Sequence, residues 1–410
     1  MNERLRRDSE AIVRAAVASV LPDRAVERAL RRMQFPGRVY LVAAGKAAWQ
    51  MSRAAVEYLD APITGGVCVT KYGHVMGRIP GVECIEAGHP VPDENSFRGT
   101  QMVLELTKDL LDTDTVLFLL SGGGSALFEK PLIHGEELQH ITDQLLQSGA
   151  DIVKINTIRK RLSAVKGGKF AQWCKPARIE AVVLSDILGD PLDMIASGPA
   201  AADSSTCAQA LAIAEEYGLE LSEKARACLN RETPKSLSNV HVQIIGSVRQ
   251  LCAAAGAECV KRGYETVFLT DRLCCEASQA GSFLASVARS HAGGGRKLAF
   301  LAGGETVVHV TGKGLGGRNQ EIALGAAQGL AGLDACVISV GSDGTDGPTD
   351  AAGGYADGDT LEALAAKGMN PAAVLKENDA YHALGAVDGL IFTGPTGTNV
   401  NDVAVVLVER

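Results

Sequence analysis

Short apolar runs alternate with amphipathic stretches along most of the chain. The runs are rich in aliphatic and β-branched residues and are bounded by glycine, aspartate and other turn residues, which is typical of buried strands. The predicted strands are RVYLVAAG, GGVCVT, TVLFLLSGGG, IEAVVLSDILGD, NVHVQIIGS, ETVFLTD, KLAFLAGGE, VVHVTG, ACVISVGSDG, GLIFTGPTG and DVAVVLVE. This alternation predicts an α/β fold in which helices cover both faces of mostly parallel sheets.

The length of the chain predicts more than one domain. A chain of 410 residues exceeds what one hydrophobic core usually serves. The polar, turn-rich segment LNRETPKSLSNV, residues 229–240, is the best internal boundary. We therefore predict two Rossmann-like domains, residues 1–236 and 237–410, with the active site in a cleft between them. In such folds ligands bind beyond the carboxyl ends of the strands.

Composition excludes several classes of function. A net charge of -8 gives no overall electrostatic attraction for nucleic acid. No apolar run is long enough to cross a bilayer, and the first segment, MNERLRRDSEAIVRAAVASVL, predicts an amphipathic helix. We expect a cytoplasmic protein without nucleic-acid or membrane partners. The 10 cysteines contain no C-x-x-C and the 8 histidines no ligand spacing, so no zinc site is predicted.

The segment LAGGETVVHVTGKGLGGRNQEIAL, residues 301–324, is the strongest candidate for anion binding. Val307, Val308 and Val310 predict a strand, and Arg318 stands where a helix is predicted to begin. The backbone N–H groups of a glycine-rich loop before a helix suit phosphate or carboxylate, and an arginine adds a planar fork of donors. The predicted cofactor-binding residues here are Gly312, Gly314, Gly316, Gly317 and Asn319. The same glycines also fit G-x-G-x-x-G, which leaves a dinucleotide site as an alternative.

Two strand ends in the N-terminal half carry related signals. In VAAGKAAWQMS, Lys46 follows a glycine at the end of a predicted strand and begins a helix, which suits a cation aimed at a phosphoryl group or a carboxylate. In FLLSGGGSALFEKP, successive glycines let N–H groups converge on phosphate oxygens. The predicted cofactor-binding residues of this loop are Ser121, Gly122, Gly123, Gly124 and Ser125. Neither G-x-x-x-x-G-K-[ST] nor G-x-S-x-G is present, so P-loop and hydrolase-elbow chemistry are not supported.

Two further strand ends are acidic. The segments VVLSDILGDPLDMIASGPAAAD and VISVGSDGTDGPTDAAGGYAD place carboxylates on glycine-punctuated loops. Such groups hold Mg²⁺ against phosphates or accept a hydroxyl proton. We select Asp190 as a catalytic candidate and Asp186, Asp343 and Asp346 as metal candidates. In contrast, the cations of NTIRKRLSAVKGGKFAQW spread around a predicted helix and indicate a solvated face.

Several of these strings resemble one family over almost the whole chain. VAAGKAA, AGHPVPDENS, LSGGGSAL, NTIRKRLSAVKGGK, LSDILGDPLDMIASGP, AGGETVVHVTGKGLGGRNQE, SVGSDGTDGPTDAAGG and TGPTGTNVNDV are similar to the class II glycerate kinases, which join a DUF4147-type part to a MOFRL part. The resemblance implies ATP- and Mg²⁺-dependent phosphorylation of D-glycerate, usually to 2-phosphoglycerate, between two Rossmann-like domains. The family's proposed active-site lysine falls on Lys46 and its arginine on Arg318.

Two other functions stay open from the residues alone. Related bacterial genes are often labelled hydroxypyruvate reductase, and an NAD(P)H-dependent reductase would use the Gly312 motif with an acid such as His89. A sensor of sugar acids or nucleotides would bind anions without turnover, although clustered carboxylates beside an anion argue for a metal and therefore for catalysis. A homodimer is a possible assembly.

Overall fold

The computed structural model describes residues 2–409 of the chain. Its internal contacts divide it into two compact units. We call Pro22–Ile245 the Lys46 unit, and the residues up to Leu21 together with those from Gly246 onward the Arg318 unit. Two six-stranded sheets with helices packed on them confirm the predicted α/β class.

The helices and strands alternate along most of the chain. In chain order they are α1 (Glu3–Ser19), α2 (Pro22–Leu30), β1 (Val39–Ala44), α3 (Ala48–Tyr58), β2 (Ile63–Lys71), β3 (Val82–Ala87), α4 (Glu94–Leu106), β4 (Thr115–Leu120), α5 (Gly124–Leu127), α6 (Gly135–Gln147), α7 (Ile152–Leu162), α8 (Lys169–Trp173), β5 (Arg178–Leu184), a 3-10 helix (Ile195–Ser197), α9 (Cys207–Glu216), α10 (Glu223–Leu229), β6 (Val240–Gly246), α11 (Val248–Lys261), β7 (Glu265–Leu273), α12 (Ala277–His291), β8 (Leu298–Gly304), α13 (Arg318–Leu330), β9 (Ala335–Gly341), β10 (Gly353–Asp357), α14 (Thr360–Ala366), α15 (Pro371–Lys376), α16 (Ala380–Gly385), β11 (Leu390–Ile391) and β12 (Asp402–Val408).

The sheet of the Lys46 unit has the strand order β3-β2-β1-β4-β5-β6. The four pairs among β1 to β5 are parallel. Every residue of β1 and β4 is buried, as expected for central strands that are covered on both faces. The chain moves outward from β1 to β3 and then returns to β4 on the other side of β1. The strand order therefore reverses between β1 and β4, which is where open α/β sheets bind ligands.

The sheet of the Arg318 unit has the order β11-β10-β9-β12-β8-β7. β7 and β8 are parallel, whereas β12 runs antiparallel to both β8 and β9, and β10 antiparallel to β9 and β11. The prediction of mostly parallel sheets thus describes the first sheet, and the second is mixed. The reason is that β12 follows β11 through a connection without a crossover helix, which returns the chain in the opposite direction. α1 packs within this unit, against α11 and β9.

Three local predictions were wrong. Val307, Val308 and Val310 do not form a strand; Val310 is 78% exposed, and only Val307 forms an isolated bridge, with Glu276. The real strand is β8, which already ends at Gly304. β3 and β10 were missed, because the sequence VECIEA is short and mixed and the sequence GGYAD is too rich in glycine to indicate a strand.

The basic segment around α7 is the third error. Lys160, Arg161 and Lys166 are 3%, 1% and 0% exposed, so they do not form a solvated face.

Within residues 2–409, no helix has the length and apolar character needed to cross a membrane.

Candidate active site

Lys46 and the glycine loop lie at the switch point of the parallel sheet. Lys46 follows β1 and precedes α3, and residues Ser121–Ser125 follow the neighbouring β4. The two connections are joined by hydrogen bonds, because Lys46 N–H donates to the Gly122 carbonyl at 2.8 Å and Ala47 N–H to Ser121 Oγ at 3.0 Å. The structure therefore brings together two predicted sets of site residues in one place.

Glycine is required in this loop because side chains of candidate site residues lie directly against it. A Cβ on Gly122 would be 2.1 Å from Asp186 Oδ2, which follows β5. A Cβ on Gly123 would be 2.9 Å from His89 Nε2 and 3.3 Å from Lys46 Cγ. Gly123 also has a φ of +85°, in the left-handed region that favours glycine. The loop thus lies between an aspartate on one side and a lysine and a histidine on the other.

Lys46 holds a charge that no residue in the described part of the chain neutralises. Within residues 2–409, its ammonium group has no hydrogen-bond acceptor and no carboxylate at ion-pair distance, and the side chain is only partly buried. His74 Nδ1 lies 2.9 Å from the Lys46 carbonyl, which fixes the backbone and leaves the ammonium group untouched. A cation beside a glycine loop with no internal partner is suited to bind an external anion.

His89 follows β3 and lies partly buried beside Lys46. Burial lowers the pKa of His89, and the positive charges of Lys46 and Lys71 and the neighbouring His74 lower it further. The imidazole is therefore neutral at pH 7, so one ring nitrogen can accept a proton. Within the described part of the chain, neither ring nitrogen has a hydrogen-bond partner.

The two aspartates after β5 differ in their surroundings. Asp186 packs on Gly122, as described above. Asp190 has a φ of 52°, and its Oδ1 is buried without a hydrogen-bond partner in the described residues. A carboxylate oxygen of this kind is costly unless a proton or a cation reaches it. The structure thus places both candidates on the β5 loop, and it places Asp186 against the glycine loop.

Two cations hold the far side of the glycine loop. The Ser125 carbonyl accepts hydrogen bonds from Lys166 Nζ at 2.8 Å and from an Arg159 terminal nitrogen at 3.1 Å. Lys166 is fully buried, 3.3 Å from the carboxylate of the buried Glu129, and burial lowers the pKa of the lysine to about 8. These bonds fix the direction of the Ser125 peptide group and therefore the shape of the loop.

The remaining buried cations of this region form an internal network. Lys160 Nζ lies 3.1 Å from both Asp193 and Asp203, and Arg161 lies 3.7 Å from Asp203. Asp203 also accepts a hydrogen bond from Thr233 at 2.7 Å. The carboxylates come from segments distant in sequence, so α7 alone gave no sign that its cations would be buried.

Arg318 is held by carboxylates of its own unit. Its Nε donates to Asp402 Oδ2 at 2.6 Å and one terminal nitrogen to Asp402 Oδ1 at 3.1 Å, while the other terminal nitrogen donates to Glu305 Oε1 at 3.1 Å. Asp402 is 5% exposed and begins β12, between the ends of β8 and β9. These carboxylates raise the pKa of Arg318 above its usual value. Burial raises the pKa of Asp402 to about 6, and the guanidinium opposes that rise.

The N-terminus of α13 is occupied by an internal anion. Asp346, which is 2% exposed, accepts the backbone N–H groups of Asn319 at 3.0 Å and Gln320 at 2.9 Å. The Asn319 side chain donates to the same aspartate at 3.2 Å and accepts from Ser339 at 2.6 Å. Burial raises the pKa of Asp346. The predicted anion site at this helix start therefore exists, and a carboxylate of the protein fills it.

The glycines before α13 allow segments of the same unit to approach one another. A Cβ on Gly312 would lie 2.2 Å from the Glu377 carbonyl oxygen, one on Gly314 2.5 Å from Asp379 Cβ, and one on Gly317 2.3 Å from Asp346 Cγ. The N–H of Gly312 donates to Asn378 Oδ1 at 2.9 Å. These contacts account for the glycines by internal packing; phosphate binding by Gly312, Gly314, Gly316, Gly317 and Asn319 stays a prediction.

The dinucleotide interpretation of the same glycines is wrong. A dinucleotide fingerprint needs a tight turn directly between a strand and a helix. Here residues 305–317 separate β8 from α13, and Gly312 and Gly314 face Glu377 and Asp379 rather than open space.

The described part of the chain contains no ready-made metal cage. Among residues 2–409, no group of three or more His, Cys, Asp or Glu side chains is arranged to hold an ion. Both oxygens of Asp346 already accept amide N–H groups, and its metal role stays a prediction. Asp343 Oδ1 accepts the Thr345 N–H at 3.1 Å and lies near Asp402, around Gly341.

Residue-by-residue inspection of the sequence missed three groups that surround the two candidate cations. Asp402 and Glu305 clamp Arg318, and His89 was considered only as the acid of a reductase. The string NVNDV before an apolar strand was a usable signal for Asp402, and AGHPVP after a short strand was one for His89. Glu305 had no signal beyond its place at the end of β8.

Family profiles match most of the chain. Residues 8–230 match the domain of unknown function DUF4147, and residues 298–402 match the MOFRL family.

Known proteins match over nearly the full length. The chain is 52% identical to the D-glycerate 2-kinase of Thermotoga maritima, covering 99% of both chains, and 43% identical to the glycerate 2-kinase of Pyrococcus horikoshii, covering 92% of this chain and 89% of that one. Its structure matches the crystal structure of a glycerate kinase from Thermotoga maritima with a TM-score of 0.95 at 51% identity, covering 99% of this chain and 100% of that one.

Proposed function

Because the chain belongs to the glycerate kinase family that joins a DUF4147 segment to a MOFRL segment, we propose that it transfers the terminal phosphoryl group of ATP to D-glycerate. The product is 2-phosphoglycerate. The observation that carries this function is the 52% identity with a D-glycerate 2-kinase along 99% of both chains. We also infer that the enzyme works in the cytoplasm, where ATP is available; a homodimer stays a prediction.

The Lys46 unit supplies the features that phosphoryl transfer needs. This reaction depends on positioning and on neutralising charge more than on covalent chemistry. The unpaired ammonium group of Lys46 would stabilise the charge that develops on the transferring group. Backbone N–H groups of the loop from Ser121 to Ser125 would hold phosphate oxygens, and Lys166 and Arg159 would fix the loop through the Ser125 carbonyl.

Mg²⁺ fits the β5 loop of this unit. Asp186 lies against the glycine loop, where a carboxylate would repel phosphate unless a cation stood between them, and Asp190 has an unpartnered buried oxygen. Mg²⁺ in phosphate sites is usually held by one or two carboxylates and by the phosphates themselves. We propose Asp186 and Asp190 as its ligands; when bound, the ion would neutralise phosphate charge. For Asp343 the metal role stays a prediction.

Arg318 is proposed to bind an anionic group of a substrate. Asp402 fixes the plane of the guanidinium through two hydrogen bonds. Glu305 is exposed, so its pairing with Arg318 is weak and can be exchanged for a ligand oxyanion. Asp402 would thus hold the guanidinium of Arg318 in place, and a ligand oxyanion could replace Glu305.

A coupled assay tests the function. Purified enzyme, D-glycerate, ATP and Mg²⁺ should produce ADP, and phosphorus NMR should show 2-phosphoglycerate. A parallel reaction with hydroxypyruvate and NADH or NADPH should show no oxidation of the nicotinamide. Reduction of hydroxypyruvate without phosphorylation of glycerate would overturn the proposal.

A further inference from the structure

His89 holds a place in the Lys46 unit that the proposed chemistry has not yet used. The transfer needs a group that takes the proton from the attacking hydroxyl, and a neutral imidazole is well suited to do so. His89 projects from the end of β3, and the edge of its ring that carries Nε2 faces Gly123 of the glycine loop. The side chain of Lys46 contacts the same glycine. The ring is therefore next to the place where the transferring phosphoryl group is proposed to bind.

We propose that His89 is the general base of the reaction, and this inference rests on the proposed kinase function. His89 Nε2 takes the proton of the glycerate 2-hydroxyl while the hydroxyl oxygen forms its bond to the terminal phosphorus of ATP. The bond from that phosphorus to the bridging oxygen breaks, and ADP leaves with the electron pair. The imidazolium then releases its proton to solvent, so the net products are 2-phosphoglycerate, ADP and one proton.

The surroundings of His89 keep it ready for this role. Lys46 after β1, and Lys71 and His74 at and after β2, are the charged or titratable groups that act on the ring. All of them disfavour the imidazolium, so the base form persists at pH 7. His74 is a poorer candidate on position, because its ring lies at the Lys46 carbonyl, whereas the ring nearest to Gly123 of the glycine loop is that of His89. Asp190 is the competing base, but among residues 2–409 no hydrogen bond joins its carboxylate to the glycine loop.

The pH profile distinguishes His89 from Asp190. In the wild type, kcat/KM should rise with pH through a limb below the ordinary histidine value of 6.5. His89→Gln should lower kcat about 100-fold and lose this limb, whereas Asp190→Asn should keep it. Burial raises the pKa of Asp402 to about 6, so Asp402→Asn is a second comparison, and it should keep the limb that His89→Gln loses. His140→Gln, at an exposed histidine of α6 in the same unit, is the matched control and should behave as wild type.

Two further variants exclude a merely structural role. His89→Ala leaves space beside Gly123, and added imidazole should restore part of its rate. Lys46→Met removes a positive charge from beside the ring, so the residual activity should show the acidic limb moved to higher pH. An unchanged limb in His89→Gln, or loss of the limb in Asp190→Asn alone, would overturn the assignment.

The inference and the proposed function can fail separately. Wild-type turnover of D-glycerate with ATP tests the function. If turnover is absent, modification of His89 by diethyl pyrocarbonate with and without D-glycerate still tests the placement of His89. Protection by D-glycerate would support a role beside the bound hydroxy acid, and equal modification in both conditions would overturn it.

Discussion

Lys46 and Arg318 occupy comparable places in two different sheets, and the two units hold them in opposite ways. Each cation stands at or near the start of a helix; Lys46 comes directly after β1, whereas residues 305–317 separate Arg318 from β8. The ammonium group of Lys46 has no partner within the described residues, whereas Arg318 donates to Asp402 and Glu305. A ligand can therefore bind Lys46 without breaking an internal hydrogen bond, whereas the hydrogen bonds of Arg318 also stabilise its own unit. Substitution should therefore separate catalysis from stability in one unit and couple them in the other.

Removal of the Lys46 charge should give the largest effect on activity. Lys46→Ala should lower kcat about 100-fold or more, because the lost cation acts on the charge that develops during transfer. The midpoint of urea unfolding should stay near that of wild type, since no internal partner loses a bond. Lys108→Ala, at an exposed lysine of the same unit, is the matched control. Near wild-type turnover of Lys46→Ala would remove Lys46 from the mechanism.

Loss of Arg318 should lower both the activity and the stability of the protein. Arg318→Ala leaves the buried Asp402 without its two charged hydrogen bonds, so the free energy of unfolding should fall by about 2 kcal/mol together with kcat/KM. Arg318→Lys should recover little, because an ammonium group cannot reproduce the planar fork. Adding Asp402→Asn to Arg318→Ala should restore part of the stability and none of the activity. Full rescue of activity by lysine would show that a point charge is sufficient.

Two glycines allow a matched test of the contrast between an effect on activity in the Lys46 unit and an effect on stability in the Arg318 unit. Gly122 and Gly317 each lie against an aspartate, Asp186 and Asp346 respectively. Gly122→Ala should displace Asp186 and raise the Mg²⁺ concentration needed for half-maximal activity, with little change in stability. Gly317→Ala should disturb the bonds of Asp346 to α13 and lower the free energy of unfolding by about 2 kcal/mol. The reverse pattern, with stability lost at Gly122 and the Mg²⁺ requirement changed at Gly317, would contradict the division between the units.

The smallest expected effect concerns the exposed partner of Arg318. Glu305→Gln should lower the KM of the anionic substrate that binds Arg318 about twofold, because it removes a weak competing pair worth about 0.5 kcal/mol. Measuring KM for ATP and for D-glycerate separately should identify that substrate. If both KM values rise instead, Glu305 contributes to binding and does not compete with it.

The sequence predicted elements whose signal is local. The uniformly apolar strands β1 and β4 and the helix start at Arg318 were correctly placed, because a buried strand and a glycine-to-helix junction are defined by neighbouring residues. Val310 was assigned to a strand since its β-branched neighbours fit one, but the strand of this segment is β8, which pairs with β12 and β7 and ends at Gly304. Local patterns thus predict the secondary structure that a residue prefers, and tertiary packing decides whether the residue adopts it.

The pairing of charges could not be predicted in this way. Arg318 and Asp402 are 84 positions apart, and Lys160 finds Asp203 on a different segment. Only the fold determines which carboxylate lies beside which cation. The sequence therefore did not distinguish Lys46 from Arg318, although only Arg318 is paired with carboxylates among the described residues. Asp346 shows the same limit of sequence-based prediction. An aspartate on an acidic loop can hold a metal or cap a helix, and the neighbouring residues do not distinguish the two roles.

The central claim is that the terminal phosphate of ATP binds at the glycine loop of the Lys46 unit. A crystal structure with D-glycerate and a non-hydrolysable ATP analogue tests it most directly. The account predicts that the terminal phosphate accepts N–H groups of Gly122 to Gly124 and lies within about 3 Å of Lys46 Nζ. A terminal phosphate bound instead by the N–H groups of Gly312 to Gly317, with Lys46 in solvent, would contradict it.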